Sequence, residues 1–256
     1  MSSADASRIP GLERARALLD GAAHLVVFTG AGVSKESGIP TFRDAMEGLW
    51  ARFDPMRLAT EEGFRADPPL VWRWYAERRE RVGEAAPNAA HLAIARAARD
   101  GRRVSVVTQN VDGLHQRAGS DGVIELHGSI VRARCLEGCG TEPPAGWEAD
   151  PRVPPRCAGC GAPLRPAVVW FGEMLPAGAF ERAEALAASC DAMLVVGTSG
   201  LVQPAASLPW TAARGGRPVI VVDPHPTELD ALATVSLRGA AAEVVPALLR
   251  RGSSAT

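Results

Sequence analysis

Four short apolar runs constrain the fold of this chain more than any other feature of its sequence. They occupy residues 24–30, 103–110, 192–199 and 218–223. Segments rich in alanine, leucine and arginine with a helical pattern, such as 91–100 and 180–190, lie between them. Unbroken apolar strands that alternate with helices predict an α/β fold with a Rossmann-like parallel sheet and helices on both faces. A fifth run, 239–245, also reads as a strand.

Composition excludes several classes of protein. The chain has 256 residues, 46% of them hydrophobic, and a formal net charge of -1. Such a chain suits one large domain or a domain with insertions, and no strong field draws it to nucleic acid or to a membrane surface. No apolar run approaches the ~20 residues of a membrane helix, and the N-terminus does not read as a signal peptide. We therefore expect a cytoplasmic protein with no nucleic-acid or membrane partner, and we take a monomer as the working expectation.

Two regions interrupt the alternation of strands and helices. Residues 41–83 carry aromatic and charged residues without strand signals, and 132–165 hold most of the cysteines amid proline and glycine. We expect a discontinuous Rossmann-like domain of residues 1–40, 84–131 and 166–256. The helical insertion and the cysteine-rich module would together form a small second domain.

The cysteines predict a metal site. Cys135 and Cys139 form one pair, Cys157 and Cys160 form another, and a glycine follows the second member of each pair. Four thiolates at this spacing fit tetrahedral zinc, and a closed four-cysteine site is structural rather than catalytic. The remaining cysteine, Cys190, has no obvious partner in the sequence and is expected to be a buried thiol.

A glycine-rich segment follows the first apolar run. In "FTGAGVSKESGIPTFRD" (28–44), Gly30, Gly32 and Gly38 free the backbone for a tight turn or a close approach. The spacing matches neither a dinucleotide fingerprint nor a Walker motif. The glycines therefore fit either a phosphate cradle or a plain strand–turn–helix corner.

Polar residues follow two later strands. "TQNVDGLH" (108–115) places Gln109, Asn110 and Asp112 at a predicted strand end, where they could face a crevice or cap a helix. "VIELHGS" (123–129) places His127 at the end of a strand. A histidine there could be a general base or a structural residue.

The chain's single tyrosine lies near an arginine. Tyr75 and Arg78 are three residues apart and would share one face of a helix. The pair fits either an ordinary charged surface helix or a reader of negatively charged groups. Arg79 beside it is expected to face solvent.

Taken together and in order, these motifs resemble the sirtuin family of NAD-dependent protein lysine deacylases. The resemblance rests on "FTGAGVSKESGIPTFRD", "TQNVDGLHQRAG", "ELHGS", the cysteine pairs, "VVWFGE" and "VVGTS", and it covers nearly the whole chain. It implies that acyl-lysine proteins or peptides are substrates and that NAD is a co-substrate. The products would be nicotinamide and O-acyl-ADP-ribose, and one zinc ion would be structural. A sirtuin-like ADP-ribosyltransferase and a non-enzymatic NAD-sensing module are the alternatives.

The resemblance also implies which residues contact NAD, ordered from the diphosphate and nicotinamide side to the adenosine side: Gly30, Ala31, Gly32, Phe42, Arg43, Gln109, Asn110, Val111, Asp112, Gly197, Thr198, Ser199, Asp223, Pro224, His225 and Ala241. In family members an Asn-x-Glu-like stretch often stands where this chain has Asp223-Pro-His225. The three-residue spacing of Cys135 and Cys139 is a second departure.

Catalytic and substrate roles follow from the same resemblance. His127 matches the family's general base, and Asn110 with Asp112 would position the nicotinamide and its ribose. The substrate peptide would pair by its backbone, as an added β-strand, with a segment formed by Val169, Trp170, Phe171, Gly172 and Glu173.

Class III sirtuins carry a Tyr-x-x-Arg in the helical insertion, where this chain has Tyr75 and Arg78. The resemblance therefore implies recognition of acidic acyl groups such as succinyl and malonyl, in addition to removal of acetyl. A charge-assisted hydrogen bond to the acyl carboxylate is worth ~1.5–3 kcal/mol, or roughly ten- to a hundredfold discrimination.

Overall fold

The computed structural model describes residues 9–40 and 55–250. It contains a sheet of six parallel strands and a separate antiparallel pair. The strands are β1 (His24–Thr29), β2 (Arg103–Thr108), β3 (Ile124–Glu125), β4 (Gly128–Cys135), β5 (Leu164–Val168), β6 (Ala192–Val196), β7 (Val219–Val222) and β8 (Val235–Leu237). The large sheet has the order β3-β2-β1-β6-β7-β8, and β4 pairs with β5.

Nine α-helices are assigned within the described part of the chain. They are α1 (Leu12–Asp20), α2 (Pro55–Leu58), α3 (Glu61–Ala66), α4 (Pro68–Glu84), α5 (Ala89–Arg99), α6 (Leu114–Arg117), α7 (Ala179–Ser189), α8 (Leu208–Arg214) and α9 (Ala241–Leu249). Three short 3₁₀ helices cover Ala31–Ser37, Ala205–Ser207 and Glu228–Leu232.

The large sheet is covered on both faces, as the apolar strands predict. Every residue of β1 is buried, and successive side chains point to opposite faces. Val27 packs in one core with residues of α1, α5 and α9. Phe28 packs in a second core with residues of α7 and α8. The predicted α/β sheet with two helical layers is therefore confirmed.

The strand order creates a crevice between β1 and β6. From β1 the chain moves to β2 and β3 on one side, and later to β6, β7 and β8 on the other. Ligands of open parallel sheets bind at such a point, outside the carboxyl ends of the strands. Thr29, the last residue of β1, lies opposite Thr108 of β2 and Val196 of β6. These three residues mark the edge at which a ligand would bind.

The antiparallel pair β4–β5 anchors the smaller part of the molecule. It packs with α4 in a third core that contains Phe64, Tyr75, Ile130 and Trp170. The helix begins sharply because Asp67 accepts a hydrogen bond from the Leu70 N–H (3.0 Å) and proline occupies the first turn. The side chains of α4 are thereby placed against the segment that follows β5.

Two sequence predictions of secondary structure are wrong. Residues 239–245 were expected to form a strand, but Ala241–Leu249 is a helix, and the last strand is the shorter Val235–Leu237. A short apolar run rich in alanine has no period that separates a buried helix from a buried strand. His127 does not end a strand either, because it lies between β3 and β4.

The predicted domain boundaries stay a proposal. The β4–β5 pair spans Gly128–Cys135 and Leu164–Val168, and therefore extends a few residues beyond 132–165 at both ends.

No helix in the described residues is long and apolar enough to cross a membrane.

Candidate active site

The loops after β1 and β6 touch each other through glycine. The Gly30 N–H donates to the Val196 carbonyl (3.0 Å), and the Gly32 N–H donates to the Gly197 carbonyl (2.9 Å). A Cβ built at Gly32 would lie 2.6 Å from the Gly197 Cα, and one at Gly30 would lie 2.7 Å from the Gly197 carbonyl oxygen. Because no side chain fits there, the glycines are needed for this loop-to-loop contact. Ala31, which lies between them, begins the 3₁₀ helix.

Polar side chains of the β1 and β2 loops form one buried network. The Ser34 hydroxyl donates to Asp112 Oδ2 (2.7 Å), and Asn110 Nδ2 donates to the Ser34 hydroxyl (3.1 Å). His91 Nε2 lies 3.5 Å from the same hydroxyl. We call Ser34, His91, Asn110 and Asp112 the sheet-edge network. It aligns the Asn110 amide and the Asp112 carboxylate, to which the family resemblance gives catalytic roles.

A second histidine lies beneath this network. His115 stacks edge-on against His91 with ring centroids 4.8 Å apart, and its Nε2 lies 2.9 Å from the Thr29 hydroxyl. The Thr29 hydroxyl donates to the Thr108 hydroxyl (2.8 Å), which accepts from the Asn110 N–H (3.0 Å). This chain of hydrogen bonds fixes the Asn110 backbone from below.

Burial keeps both of these histidines neutral. Desolvation lowers the pKa of His91 to about 4, partly opposed by the Asp112 charge. Desolvation, with repulsion from His91, lowers the pKa of His115 to about 3. At neutral pH the two rings therefore add no positive charge beside Asp112.

His127 is oriented by the β2 loop. Its Nδ1 lies 3.0 Å from the Gln109 carbonyl oxygen. A carbonyl can only accept, so Nδ1 carries the proton and Nε2 is left with a free lone pair. Desolvation lowers the pKa of His127, opposed by this hydrogen bond. The free Nε2 is consequently able to accept a proton at neutral pH.

The β2 and β6 loops are joined across the crevice. Gln109 Nε2 donates to the Thr198 hydroxyl at 2.9 Å. Val111 and Ser199 follow in the same two loops, half-buried at this edge. The structure thus brings the predicted residues of the β1, β2 and β6 loops to one place.

The predicted adenosine-side residues lie farther along the same edge. Asp223 follows β7, and its Oδ1 accepts a hydrogen bond from the His225 N–H (2.9 Å). Pro224 and His225 are exposed, whereas Ala241 is buried at the start of α9. Phe42 and Arg43 lie outside the described residues.

Tyr75 and Arg78 share a face of α4. The Tyr75 side chain is 4% exposed, and its hydroxyl accepts a hydrogen bond from the Trp170 indole N–H (2.9 Å). The Arg78 guanidinium lies over the Trp74 ring, 4.4 Å from its centroid, and 5.7 Å from that of Tyr75. Burial lowers the pKa of Arg78, and the Tyr75 hydroxyl partly offsets this. No carboxylate pairs with Arg78 among the described residues.

Arg79 does not face solvent, which corrects the expectation for that residue. Its guanidinium lies 4.6 Å from the Trp147 ring centroid and 5.4 Å from that of Trp72. Because the planar guanidinium stacks on aromatic faces, Arg79 joins α4 to the cysteine-rich module.

The segment after β5 is held by its own N–H groups. The Val169 N–H donates to the His127 carbonyl and the Phe171 N–H to the Ala59 carbonyl, each at 2.9 Å. The Trp170 N–H donates to Glu173 Oε2 (2.8 Å), and the Glu173 N–H donates to the Trp170 carbonyl (3.1 Å). Pairing with a peptide would therefore draw chiefly on carbonyl groups of this segment.

The four cysteines converge as their spacing predicts. Their sulfur atoms all lie within 4.8 Å of one another, and the Cys135–Cys160 and Cys139–Cys157 pairs are 3.4 Å apart. A tetrahedron of thiolates at ~2.3 Å from zinc has sulfur–sulfur edges of about 3.8 Å. The cluster therefore fits one zinc ion despite the three-residue spacing of the first pair. Cys190 lies apart, buried behind α7.

Comparisons with known proteins identify the family. The Sir2 family model matches residues 30–204. An NAD-dependent protein deacylase of Ralstonia nicotianae is 57% identical over 236 residues, 92% of this chain and 95% of that protein. A solved Sir2 homolog–NAD complex is 46% identical with a TM-score of 0.87, covering 93% of this chain and 92% of that one.

The chain belongs to the Sir2 family. A further Sir2 structure, bound to a myristoylated histone peptide, is 37% identical with a TM-score of 0.75 and covers 93% of this chain and 94% of that one. The expectation of an NAD-dependent protein deacylase with one structural zinc is confirmed. The buried polar groups at the strand crossover also fit a dinucleotide, because they present amide, hydroxyl and carboxylate groups beside a glycine-lined loop.

Sequence reasoning missed part of this Sir2 site. Ser34, His91 and His115 were not singled out, yet each contacts a predicted residue or its support. His91 could have been found, because it lies three residues after Asn88 and completes a capping box at the start of α5. Thr29 and Thr108 carry a subtler signal, since each is the last residue of an adjacent parallel strand.

Proposed function

We propose that this Sir2 deacylase removes acidic acyl groups, succinyl and malonyl, as well as acetyl, from lysine side chains of proteins. The single observation that carries the proposal is Arg78, a half-buried guanidinium that lies over the Trp74 ring and has no carboxylate partner among the described residues. A half-buried cation without an anion loses part of its hydration, and a substrate carboxylate would offset that cost. Tyr75 adds a hydroxyl on the same face of α4.

The rest of the site supports transfer of the acyl group to NAD. When bound, NAD supplies nicotinamide as leaving group and a ribose hydroxyl as acceptor, so the products are nicotinamide and O-acyl-ADP-ribose. His127 is the general base, because its Nδ1 is committed to Gln109 and its Nε2 can take the hydroxyl proton. Asn110 and Asp112 hold the nicotinamide half in place through their fixed side chains. Positioning of this kind lowers a barrier by up to ~7–11 kcal/mol in ideal cases.

The substrate is proposed to be an extended acyl-lysine peptide that lies along the segment after β5. The N–H groups of Val169, Trp170 and Phe171 are already bonded within the protein, so the peptide would pair through backbone carbonyl groups of this segment. A Sir2 relative of similar fold binds a myristoylated histone peptide, which supports this class of substrate. We further propose that the protein acts as a cytoplasmic monomer without nucleic acid, which a light-scattering mass and fractionation would test.

The test compares kcat/KM for matched acetyl, succinyl and malonyl peptides. Arg78→Met should lower kcat/KM for the succinyl peptide about ten- to a hundredfold more than for the acetyl peptide. Arg79→Met is the matched control, because Arg79 stacks on Trp72 and Trp147 instead. The control should leave the ratio of succinyl to acetyl turnover unchanged. Equal losses on both peptides in Arg78→Met would contradict the proposal.

Mass spectrometry of the products separates the alternative. Deacylation removes the acyl group from the peptide, whereas an ADP-ribosyltransferase would leave a peptide heavier by ADP-ribose. His127→Ala should abolish most turnover, by about 10²–10⁴-fold, because general base catalysis is lost. Full turnover in that variant would refute the assignment of the base.

A further inference from the structure

The hydrogen bond between Trp170 and Tyr75 has a fixed direction. The Trp170 indole N–H can only donate, so the Tyr75 oxygen must accept at this contact of 2.9 Å. Both side chains are buried, at 2% and 4% exposure. The phenolic proton of Tyr75 is therefore turned away from Trp170 and remains available to another acceptor.

Trp170 is held in place through contacts to its indole ring and through a hydrogen bond of its backbone. The Arg165 guanidinium lies 3.3 Å from the Trp170 ring centroid, and the Phe64 ring lies at 5.3 Å. The Trp170 backbone N–H donates to Glu173 Oε2 at 2.8 Å. The ring is consequently fixed in position between an arginine and an aromatic side chain.

Arg165 and Glu173 close this arrangement. Arg165 is 1% exposed, and its two terminal nitrogens both bond the Glu173 carboxylate. One of them, Nη2, also donates to the Val168 carbonyl (2.8 Å). Bidentate pairs of this kind fix geometry as well as charge. Arg165 and Glu173 therefore fix Trp170 between β5 and Tyr75.

We propose that Trp170, held by Arg165 and Glu173, is a positioning residue for acyl selectivity that directs the Tyr75 hydroxyl proton toward the acyl carboxylate. The proposal rests on the recognition of acidic acyl groups proposed above. Without the indole donor, the Tyr75 hydroxyl would rotate freely and spend part of its time as an acceptor, which an incoming carboxylate cannot use. Burial raises the pKa of Tyr75, so the phenol keeps its proton at neutral and mildly basic pH.

The test is Trp170→Phe, which removes the indole N–H and keeps an aromatic ring. The ratio of kcat/KM for succinyl to acetyl peptide should fall about three- to tenfold, mainly through KM for the succinyl peptide. The ratio is measured within one variant, so partial unfolding does not affect it. An unchanged ratio, or a fall confined to kcat on both peptides, overturns the proposal.

Trp72→Phe is the matched control. Trp72 is a buried tryptophan of α4 whose indole N–H also donates, but to the Asp150 carbonyl at 3.0 Å. This variant should leave the succinyl-to-acetyl ratio unchanged. If it lowers the ratio as much as Trp170→Phe does, loss of any buried indole donor in this part of the molecule explains the effect and the proposal fails.

A double-mutant cycle tests whether Trp170 acts through Tyr75. Tyr75→Phe should lower the ratio, and adding Trp170→Phe to it should lower the ratio no further, because the hydroxyl is already absent. Multiplicative losses would show that Trp170 acts independently and would overturn the proposal. Glu173→Gln is a second variant if Trp170→Phe does not fold, and it should lower the ratio in the same direction.

The result also separates this proposal from the one on which it rests. If Arg78→Met turns over the succinyl peptide as well as the wild-type enzyme does, the acyl specificity and the role of Trp170 are both refuted. Arg78-dependent turnover with a normal ratio in Trp170→Phe would refute only the role of Trp170.

Discussion

Two polar regions of this deacylase differ in what completes them. In the sheet-edge network, the Ser34 hydroxyl donates to Asp112 and accepts from Asn110, so its partners all belong to the protein. On α4, Arg78 lies over an aromatic ring and has no carboxylate partner in the part of the chain described. The first region is complete within the protein, whereas our proposal requires the second to be completed by the acyl carboxylate of the substrate. If the proposal is correct, the rigid region holds the reaction geometry and the region on α4 selects among acyl groups.

Two arginines show the same contrast between a group with a carboxylate partner and a group without one. Arg165 lies over the Trp170 ring and bonds Glu173, whereas Arg78 lies over the Trp74 ring without such a partner. We expect Arg165→Met to lower the free energy of unfolding by about 3–5 kcal/mol, because it removes the buried partner of the partly buried Glu173 carboxylate and leaves only the exposed Arg134. Urea unfolding followed by circular dichroism measures the change.

Arg134→Met is the control for this prediction. Arg134 also reaches Glu173, at 3.3 Å, but its side chain is 52% exposed. An exposed ion pair contributes at most about 1 kcal/mol, so this variant should remain close to wild type in stability. Equal losses in the two variants would show that burial does not distinguish the two bonds to Glu173.

A fall in pH should lower the stability of the protein through His91 and His115, which belong to the sheet-edge network or contact it. The pKa values of His91 and His115 are about 4 and about 3 in the folded protein, against about 6.5 in an unfolded chain. Between these values the unfolded state binds more protons, so stability falls as the pH falls. From pH 8 to pH 5.5 each histidine should contribute a loss of about 1.4 kcal/mol, or about 3 kcal/mol together. Unfolding curves at the two pH values measure this.

His115→Gln should reduce that loss by about 1.4 kcal/mol, since one of the two groups no longer titrates. His225→Gln is the matched control, because His225 is exposed and lies outside the network. A loss between pH 8 and pH 5.5 that is unchanged in His115→Gln would contradict the burial of a neutral imidazole at this position.

Ser34→Ala should cost about 2 kcal/mol of stability and reduce NAD-dependent turnover. The change removes the donor to Asp112 and the acceptor of Asn110 within a buried region, where unsatisfied groups cost ~1–3 kcal/mol. Ser37→Ala is the control on the same 3₁₀ helix, because the Ser37 hydroxyl is buried without a hydrogen-bond partner in the described structure. We expect that variant to change stability little, and a larger loss there than in Ser34→Ala would contradict the importance of the network.

Much of the fold was predictable because apolar runs report burial directly. The runs at 24–30, 103–110, 192–199 and 218–223 contain four strands of the parallel sheet. The segment 239–245 misled, because its alanines and valines fit a buried helix as well as a strand. β8 was missed, since three residues carry too little pattern to stand out.

The site was predictable only where a residue type and its spacing carry chemistry. The four cysteines form such a motif and converge as expected. The role of His127 came only from the family resemblance. Arg165 and the indole of Trp170 gave no signal, because their partners lie on distant parts of the chain or depend on burial. The Trp170–Tyr75 bond joins residues 95 positions apart, and no local spacing predicts a contact of that kind.

Arg78→Met should change the free energy of unfolding least among these variants. The comparison with Arg165→Met tests directly whether the two arginines differ in how the protein holds them. Methionine keeps the apolar length of the side chain and removes a charge whose burial is unfavourable. The lost contact with the Trp74 ring is worth about 0.5–1 kcal/mol, and the removed desolvation cost offsets it. We expect the free energy of unfolding to stay within about 1 kcal/mol of wild type, or to rise, while turnover of succinyl peptide falls. A loss of stability as large as that in Arg165→Met would mean that Arg78 is held by the protein itself, and the region on α4 would then be as complete as the sheet-edge network.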